Sequence, residues 1–237
     1  MAIIMIEVIP AIMPKTWENL EEMVEIVSPY VSSVQLDLMD GRFVPEKTWP
    51  YFSYKDPDFA ALLSESFGLP GWDKIDYEID LMSSTPESDA FDWIKIGAKR
   101  IILHVESSKE ISKLIEEIRS EYGNPKENIS APEIGIAALN DTPLSLWEDM
   151  IPSVDFVQLM GIAKIGYQGE PFDERVLDRI KTLKDKYPEM ILSVDGAVNA
   201  DTAPALVKAG VGRLVSGSYV FNSLNIKEAI ESLKNPI

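Results

Sequence analysis

Two aspartates carry the chemistry this sequence suggests first. Asp37 sits in Val34-Gln35-Leu36-Asp37-Leu38-Met39, and Asp195 ends the run Ile191-Leu192-Ser193-Val194 just before Gly196. Side chains alternate along a strand, so Gln35 and Asp37 share one face of it. Asp40-Gly41 then turns the chain out, because glycine accepts positive φ without steric penalty. A buried carboxylate is costly unless it is hydrogen-bonded, paired with a cation or bound to metal. Two carboxylates on opposite sides of a small ligand can take a proton from one face of a carbon and return one to the other, which is the chemistry of epimerisation. Spacing alone leaves the alternative open that each aspartate only caps a loop.

Positioning these groups is the task of a repeating pattern. Strand-like runs recur at Ile3 to Ile9 (ended by Pro10), Ser33 to Asp37, Asp76 to Leu81, Arg100 to Val105, Glu133 to Ala138, Val154 to Met160, Met190 to Val194 and Arg213 to Ser216. Between them apolar residues repeat at helical spacing, as in Leu20, Met23, Val24 and Val27 or Ile111, Leu114, Ile115 and Ile118. Ser107-Ser108-Lys109-Glu110 reads as a capping box, and Thr142-Pro143 as the start of a short helix stopped before Pro152. Residues 46–75 form an irregular excursion with Pro50, Pro57 and Pro70 and several aromatics, around a helix predicted over Pro57 to Phe67. Eight strand and helix units in 237 residues match a single (β/α)8 TIM barrel, whose usual size is ~250 residues, better than an open doubly wound sheet. A barrel places its chemistry at the C-terminal ends of the strands, and Asp37, Asp80, His104, Asn140 and Asp195 all fall there.

Composition narrows the function. An apolar fraction of 46% and a charged fraction of 26% describe an ordinary folded chain. No run approaches the ~18 apolar residues of a membrane span, and Met1 to Ile6 lacks the basic flank of a signal peptide, so a cytoplasmic protein with no membrane partner is expected. Zero cysteines exclude thiolate chemistry and thiolate metal sites, leaving oxygen ligands and the single histidine. A net charge of −17 argues against nucleic acid. A small phosphate ester is still compatible with it, because backbone N–H nests act at short range.

The motifs taken together resemble one family. Asp37-Leu38-Met39-Asp40-Gly41-Arg42-Phe43-Val44-Pro45 resembles the D-x-M-D-G-x-F-V-P segment of ribulose-phosphate 3-epimerases. In order along the chain, Asp80-Leu81-Met82 is similar to their H-L-M, His104-Val105-Glu106 to H-x-E and Ala138-Leu139-Asn140-Asp141-Thr142 to A-L-N-P-x-T. Asp195-Gly196-Ala197-Val198 is similar to D-G-G-V, and Val215-Ser216-Gly217-Ser218 to V-A-G-S. The resemblance implies a barrel of the ribulose-phosphate-binding type, a small phosphorylated sugar as substrate and a homo-oligomer. Asp37 and Asp195 become the acid and base around an enediolate. Met39, Met82 and Met160 line the intermediate, with His104 as a supporting neighbour. The family's two metal-ligating histidines fall at Gln35 and Asp80, so Gln35, Asp37, Asp80 and Asp195 form an all-oxygen set that favours Mg²⁺, Mn²⁺ or Ca²⁺ over Zn²⁺. Loss of metal is the alternative.

Phosphate is expected at Gly166, Gly169, Gly196, Ala197, Gly217 and Ser218. The family's P-G-F-G-G-Q loop reads Lys164-Ile165-Gly166-Tyr167-Gln168-Gly169-Glu170, with the carboxylate of Glu170 in place of glutamine. The expected activity is ketose-phosphate 3-epimerisation. A diverged non-catalytic sugar-phosphate-binding barrel is the alternative. A related phosphate-binding lyase fits less well, since such lyases carry D-x-K-x-x-D where this chain has Asp80-Leu81-Met82-Ser83-Ser84-Thr85.

Overall fold

The computed structural model describes residues 6–167 and 169–236, so Ile3 to Met5 of the first predicted strand and Gln168 of the glycine loop lie outside the described residues. Eight strands, β1 (Glu7–Ile12), β2 (Ser33–Met39), β3 (Asp76–Met82), β4 (Arg100–His104), β5 (Glu133–Ala138), β6 (Phe156–Met160), β7 (Ile191–Asp195) and β8 (Arg213–Ser216), close into one barrel in sequence order. Every neighbouring pair is parallel, and β8 returns to pair with β1. All seven residues of β2 are buried, as expected of a parallel strand covered on one side by helices and on the other by the barrel interior.

The helices are α1 (Trp17–Val27), α2 (Pro57–Leu63), α3 (Pro86–Ile96), α4 (Ile111–Tyr122), α5 (Arg175–Lys186), α6 (Ala203–Ala209), α7 (Ser218–Phe221) and α8 (Ile226–Lys234). Each longer one lays an apolar stripe on the barrel. In α4 the buried residues are the predicted Ile111, Leu114, Ile115 and Ile118, and in α5 they are Val176, Ile180 and Leu183. Removing each such side chain from water contributes about 1.5–3 kcal/mol, which fixes the helices around the strands.

Local departures from the sequence reading have local causes. Pro10 does not end β1 but lies inside it, beside Ser216 of β8; the ladder to β2 is registered only from Ala11, beyond the residue that lacks an N–H. The capping box does not form. Ser108 Oγ accepts from Glu110 N in a tight turn, and α4 starts at Ile111 with no side-chain cap. The helix predicted after Thr142 becomes two 3₁₀ turns, Leu144–Leu146 and Glu148–Ser153, the second including Pro152. In the 46–75 excursion α2 stops at Leu63, short of the predicted Phe67, and Trp49 is buried. Its ring meets those of Trp17, Phe59 and Trp93 edge-on at 5.4–6.1 Å, giving the excursion its own aromatic anchor on the barrel. Phe52, Tyr54 and Trp72 remain exposed.

Candidate active site

The strand register brings the acids together. Asp37 pairs with Asp80 across β2 and β3, and Asp195 pairs with Met160 across β7 and β6. One oxygen from each of Asp37, Asp80 and Asp195 lies within 4.8 Å of the others. Gln35, one step down β2, bridges the pair across the barrel. Its Nε2 donates to Asp37 Oδ1 at 2.8 Å and to Asp195 Oδ2 at 3.0 Å.

The Gln35 amide oxygen, expected to face a metal, is buried with no hydrogen-bond partner among the described residues. Gln35 presents its amide nitrogen, not its oxygen, to the carboxylates, because two anions attract an N–H donor and would repel a carbonyl. The converging donors are therefore the three carboxylates. Burial, then the charges of Asp195 and Asp80, push the Asp37 carboxyl well above the usual range. Burial and Asp80 raise Asp195 to about 7, against the opposing pull of Gln35.

Supports for the strand ends come from Thr48, which motif spacing did not reveal, and from Asp40, His104 and Glu106, which the motifs placed without showing these contacts. Thr48 Oγ donates to the Asp37 carbonyl at 2.7 Å and accepts from Met39 N at 2.9 Å, clamping the end of β2 from within the excursion. Asp40 accepts from Arg42 N, Phe43 N, Ser84 N and Ser84 Oγ, tying the β2 turn to the chain leaving β3. His104 Nε2 donates to Asp80 Oδ1 at 3.0 Å, since a carboxylate can only accept; its Nδ1 faces Glu106 Oε2 at 3.9 Å. The other Glu106 oxygen is held by Leu139 N and Thr142 Oγ. Burial disfavours charge on His104, yet the Asp80 carboxylate outweighs it and raises the imidazole above its ordinary value.

The cavity at the C-terminal mouth is lined by Asp37, Asp195, Met82 and Met160 together with Gly166, Gly169, Gly196, Ala197, Gly217 and Ser218. Both expected catalytic aspartates and all six expected phosphate-side residues thus share one space. Met39 and His104, expected to touch substrate, do not line it. Met39 packs in an apolar cluster with Val44, Met82, Met160 and Ile165, and His104 is fully buried with its Nε2 on Asp80. Met13, Ile162, Ile165 and Tyr167 line it unforeseen, because apolar residues in irregular loops carry no periodic signal.

Close packing shapes the glycine side of the cavity. At Gly161 a Cβ would lie 2.2 Å from the Gly196 carbonyl oxygen, so only glycine lets the chains leaving β6 and β7 approach this closely. Ala197 adopts φ 53°, the left-handed region, and its carbonyl accepts from Thr202 Oγ at 2.9 Å and Asn199 Nδ2 at 3.2 Å. Strain of this kind persists where surroundings over-determine the backbone, commonly at binding sites.

A divalent cation fits this donor set. Like charges in register destabilise a sheet unless something neutralises them. Asp80 Oδ2 is buried without a hydrogen-bond partner. Three carboxylates within 4.8 Å form the hard, all-oxygen ligand set preferred by Mg²⁺, Mn²⁺ or Ca²⁺.

Comparison with known proteins agrees with this architecture. Among solved structures, KGPDC from Streptococcus mutans superposes with a TM-score of 0.71 at 14% identity, covering 98% of this chain and 96% of the other. A 3-hexulose-6-phosphate synthase superposes with a TM-score of 0.63 at 17% identity, covering 98% and 99%; at such identities the likeness is one of fold. In sequence, the ribulose-phosphate 3-epimerase of Bacillus subtilis is 27% identical over 97% of this chain and 99% of its own length. That of Synechocystis is 29% identical over 97% and 94%. The model of the ribulose-phosphate 3 epimerase family matches residues 7–221, and the chain belongs to that family.

Proposed function

We propose that the protein is a ketose-phosphate 3-epimerase in which Asp37 and Asp195 exchange the proton at C3 of a small phosphorylated ketose. The observation carrying this reading is the pair of buried carboxylates on β2 and β7, bridged by Gln35 and opening into the same cavity as the glycine loops. One aspartate withdraws the C3 proton from one face of the sugar. The other delivers a proton to the opposite face, inverting the centre, and the roles exchange in the reverse direction. An ordinary carboxyl is a weak base at neutral pH. Burial pushes both carboxyls upward, which lets one partner hold a proton while the other is ionised.

Asp37, Asp80 and Asp195 would hold a divalent metal, with Mg²⁺, Mn²⁺ or Ca²⁺ suited to the ligands. When bound, it supplies a Lewis acid that polarises the C2 carbonyl. Met82 and Met160 give the reacting carbons a polarisable, water-poor wall. Backbone N–H groups around Gly166, Gly169, Gly196, Ala197, Gly217 and Ser218 receive the phosphate.

Zero cysteines and the high acidic charge support a cytoplasmic setting, and among the described residues no helix is long and apolar enough to cross a membrane. Exposed Phe52, Tyr54 and Trp72 support self-association through the excursion.

The test is solvent deuterium. Ribulose 5-phosphate and related pentulose and hexulose phosphates, incubated with the protein and Mg²⁺ or Mn²⁺ in D₂O, should acquire label at C3. Asp37→Asn and Asp195→Asn should lose it. A full panel without label would remove the epimerase reading.

A further inference from the structure

Glu170 lines the same cavity as Asp37 and Asp195, on the loop that carries Gly166 and Gly169. It is only half-buried, and no hydrogen bond or ion pair to another described residue ties its carboxylate up. The cavity therefore carries a carboxylate on its glycine loop in addition to those of Asp37 and Asp195. Among the described residues no lysine, arginine or histidine lines it. A phosphorylated sugar entering this space brings up to two negative charges to a cavity whose side-chain charge is already negative, and its attraction must come from uncharged donors, the backbone N–H groups and hydroxyls such as that of Ser218. The net charge of −17 adds no long-range attraction to offset this.

We infer that Glu170 is a specificity-determining residue which weakens the hold on phosphate, narrowing the preference for phosphorylated over unphosphorylated ketoses and leaving the chemistry at C3 untouched. The inference rests on the reading of this cavity as a sugar-phosphate site. Repulsion between Glu170 and the phosphate is equal in ground and transition states, since the phosphate does not react. It should appear in KM and not in kcat. It should also weaken as salt is raised, because a half-exposed carboxylate is screened.

The experiment compares the native chain with Glu170→Gln, which keeps the shape and removes the charge, and Glu170→Asp, which keeps the charge. Inorganic phosphate binding is measured by calorimetry, and C3 exchange is followed with ribulose 5-phosphate and with ribulose. Glu170→Gln should bind phosphate about tenfold more tightly and lower KM for ribulose 5-phosphate by the same factor. Its kcat, and its KM for ribulose, should match those of the native chain. Glu170→Asp should stay close to native, and the gap between native and Glu170→Gln should shrink with added salt. Equal phosphate affinity in native and Glu170→Gln, no phosphate binding by either, or an equal KM change for ribulose would overturn the inference. If no sugar exchanges at C3, the epimerase reading fails, while the phosphate measurement still decides the role of Glu170.

Discussion

At the scale of single residues, Gln35 decides how the two aspartates coexist. Its one amide nitrogen serves both carboxylates, at 2.8 and 3.0 Å, and this hydrogen bonding opposes the burial that raises each of them. Replacing it by leucine keeps the volume and removes the donor. Without that donor both aspartates become harder to ionise, so the rising limb of the pH–rate profile for C3 exchange should move to higher pH. The rate at neutral pH should fall by about tenfold to a hundredfold, in keeping with the loss of a hydrogen bond to a buried charge. Deuterium wash-in measured across pH checks both, and an unshifted profile would mean that Gln35 is only packing. The sequence showed Gln35 sharing a face with Asp37, which follows from strand alternation. Which end of the amide faces inward was not legible, because it depends on Asp195, 160 residues away and brought near only by closure of the barrel. Asp80 and His104 illustrate the same limit. Each was placed at a strand end, but their 3.0 Å contact is a product of β3 and β4 lying side by side.

Elements were legible wherever a period repeats. The strands and the apolar stripes of α1, α4 and α5 follow from periods of two and 3.6 residues. What failed were features set by a few atoms: the turn in which Ser108 binds Glu110 N, the 3₁₀ turns over Leu144–Leu146 and Glu148–Ser153, and the proline tolerated inside β1. The connection leaving β7 is only partly legible in its residues. Asp195-Gly196-Ala197 has alanine where the family pattern has glycine, and the structure gives that position φ 53°. An L residue there costs roughly 1 kcal/mol, and glycine gives back part of the gain by loosening the unfolded chain. Ala197→Gly should therefore stabilise the protein only slightly, by roughly 0–0.6 kcal/mol in urea denaturation, and leave the backbone path to Thr202 intact. The opposite change one element earlier should be harmful. Gly166 has φ 85°, and a Cβ there would sit 2.8 Å from the Val44 Cβ. Gly166→Ala should push the β6 loop off the β2 loop and raise KM for the sugar phosphate, and an unchanged KM would show that the two loops do not hold each other.

For the whole molecule, the barrel interior separates two charged layers, one for chemistry at the mouth and one for structure at the floor. The floor gathers Glu7, Glu78 and Glu133 around Arg100 and Arg213. Arg100 Nη1 meets Glu7 at 2.9 Å and Glu78 at 3.6 Å, Arg213 Nε meets Glu7 at 3.0 Å, and Arg213 Nη2 meets Glu133 at 2.9 Å. The guanidinium of Arg213 also lies 4.6 Å from the Phe156 ring centroid. Three carboxylates against two guanidiniums leave one negative charge in excess. Glu78, fully buried and with neither oxygen hydrogen-bonded, is the group that absorbs it: burial outweighs Arg100 and Arg213 and raises it from 4.5 to about 7. The folded state then holds a proton that the unfolded chain releases near 4.5. Stability from this group is present at low pH, declines as pH rises between the two values, and levels off above the folded one. Glu78→Gln keeps the neutral shape at every pH. The difference in unfolding free energy between this variant and the native chain should accordingly grow in favour of glutamine from pH 5 to pH 8, reaching on the order of 3 kcal/mol. Guanidinium denaturation of both proteins in parallel at closely spaced pH values isolates Glu78 from the mouth carboxylates, which titrate in both. A difference that stays flat with pH would mean that Arg100 keeps Glu78 ionised throughout, and that the floor carries its surplus charge on another glutamate.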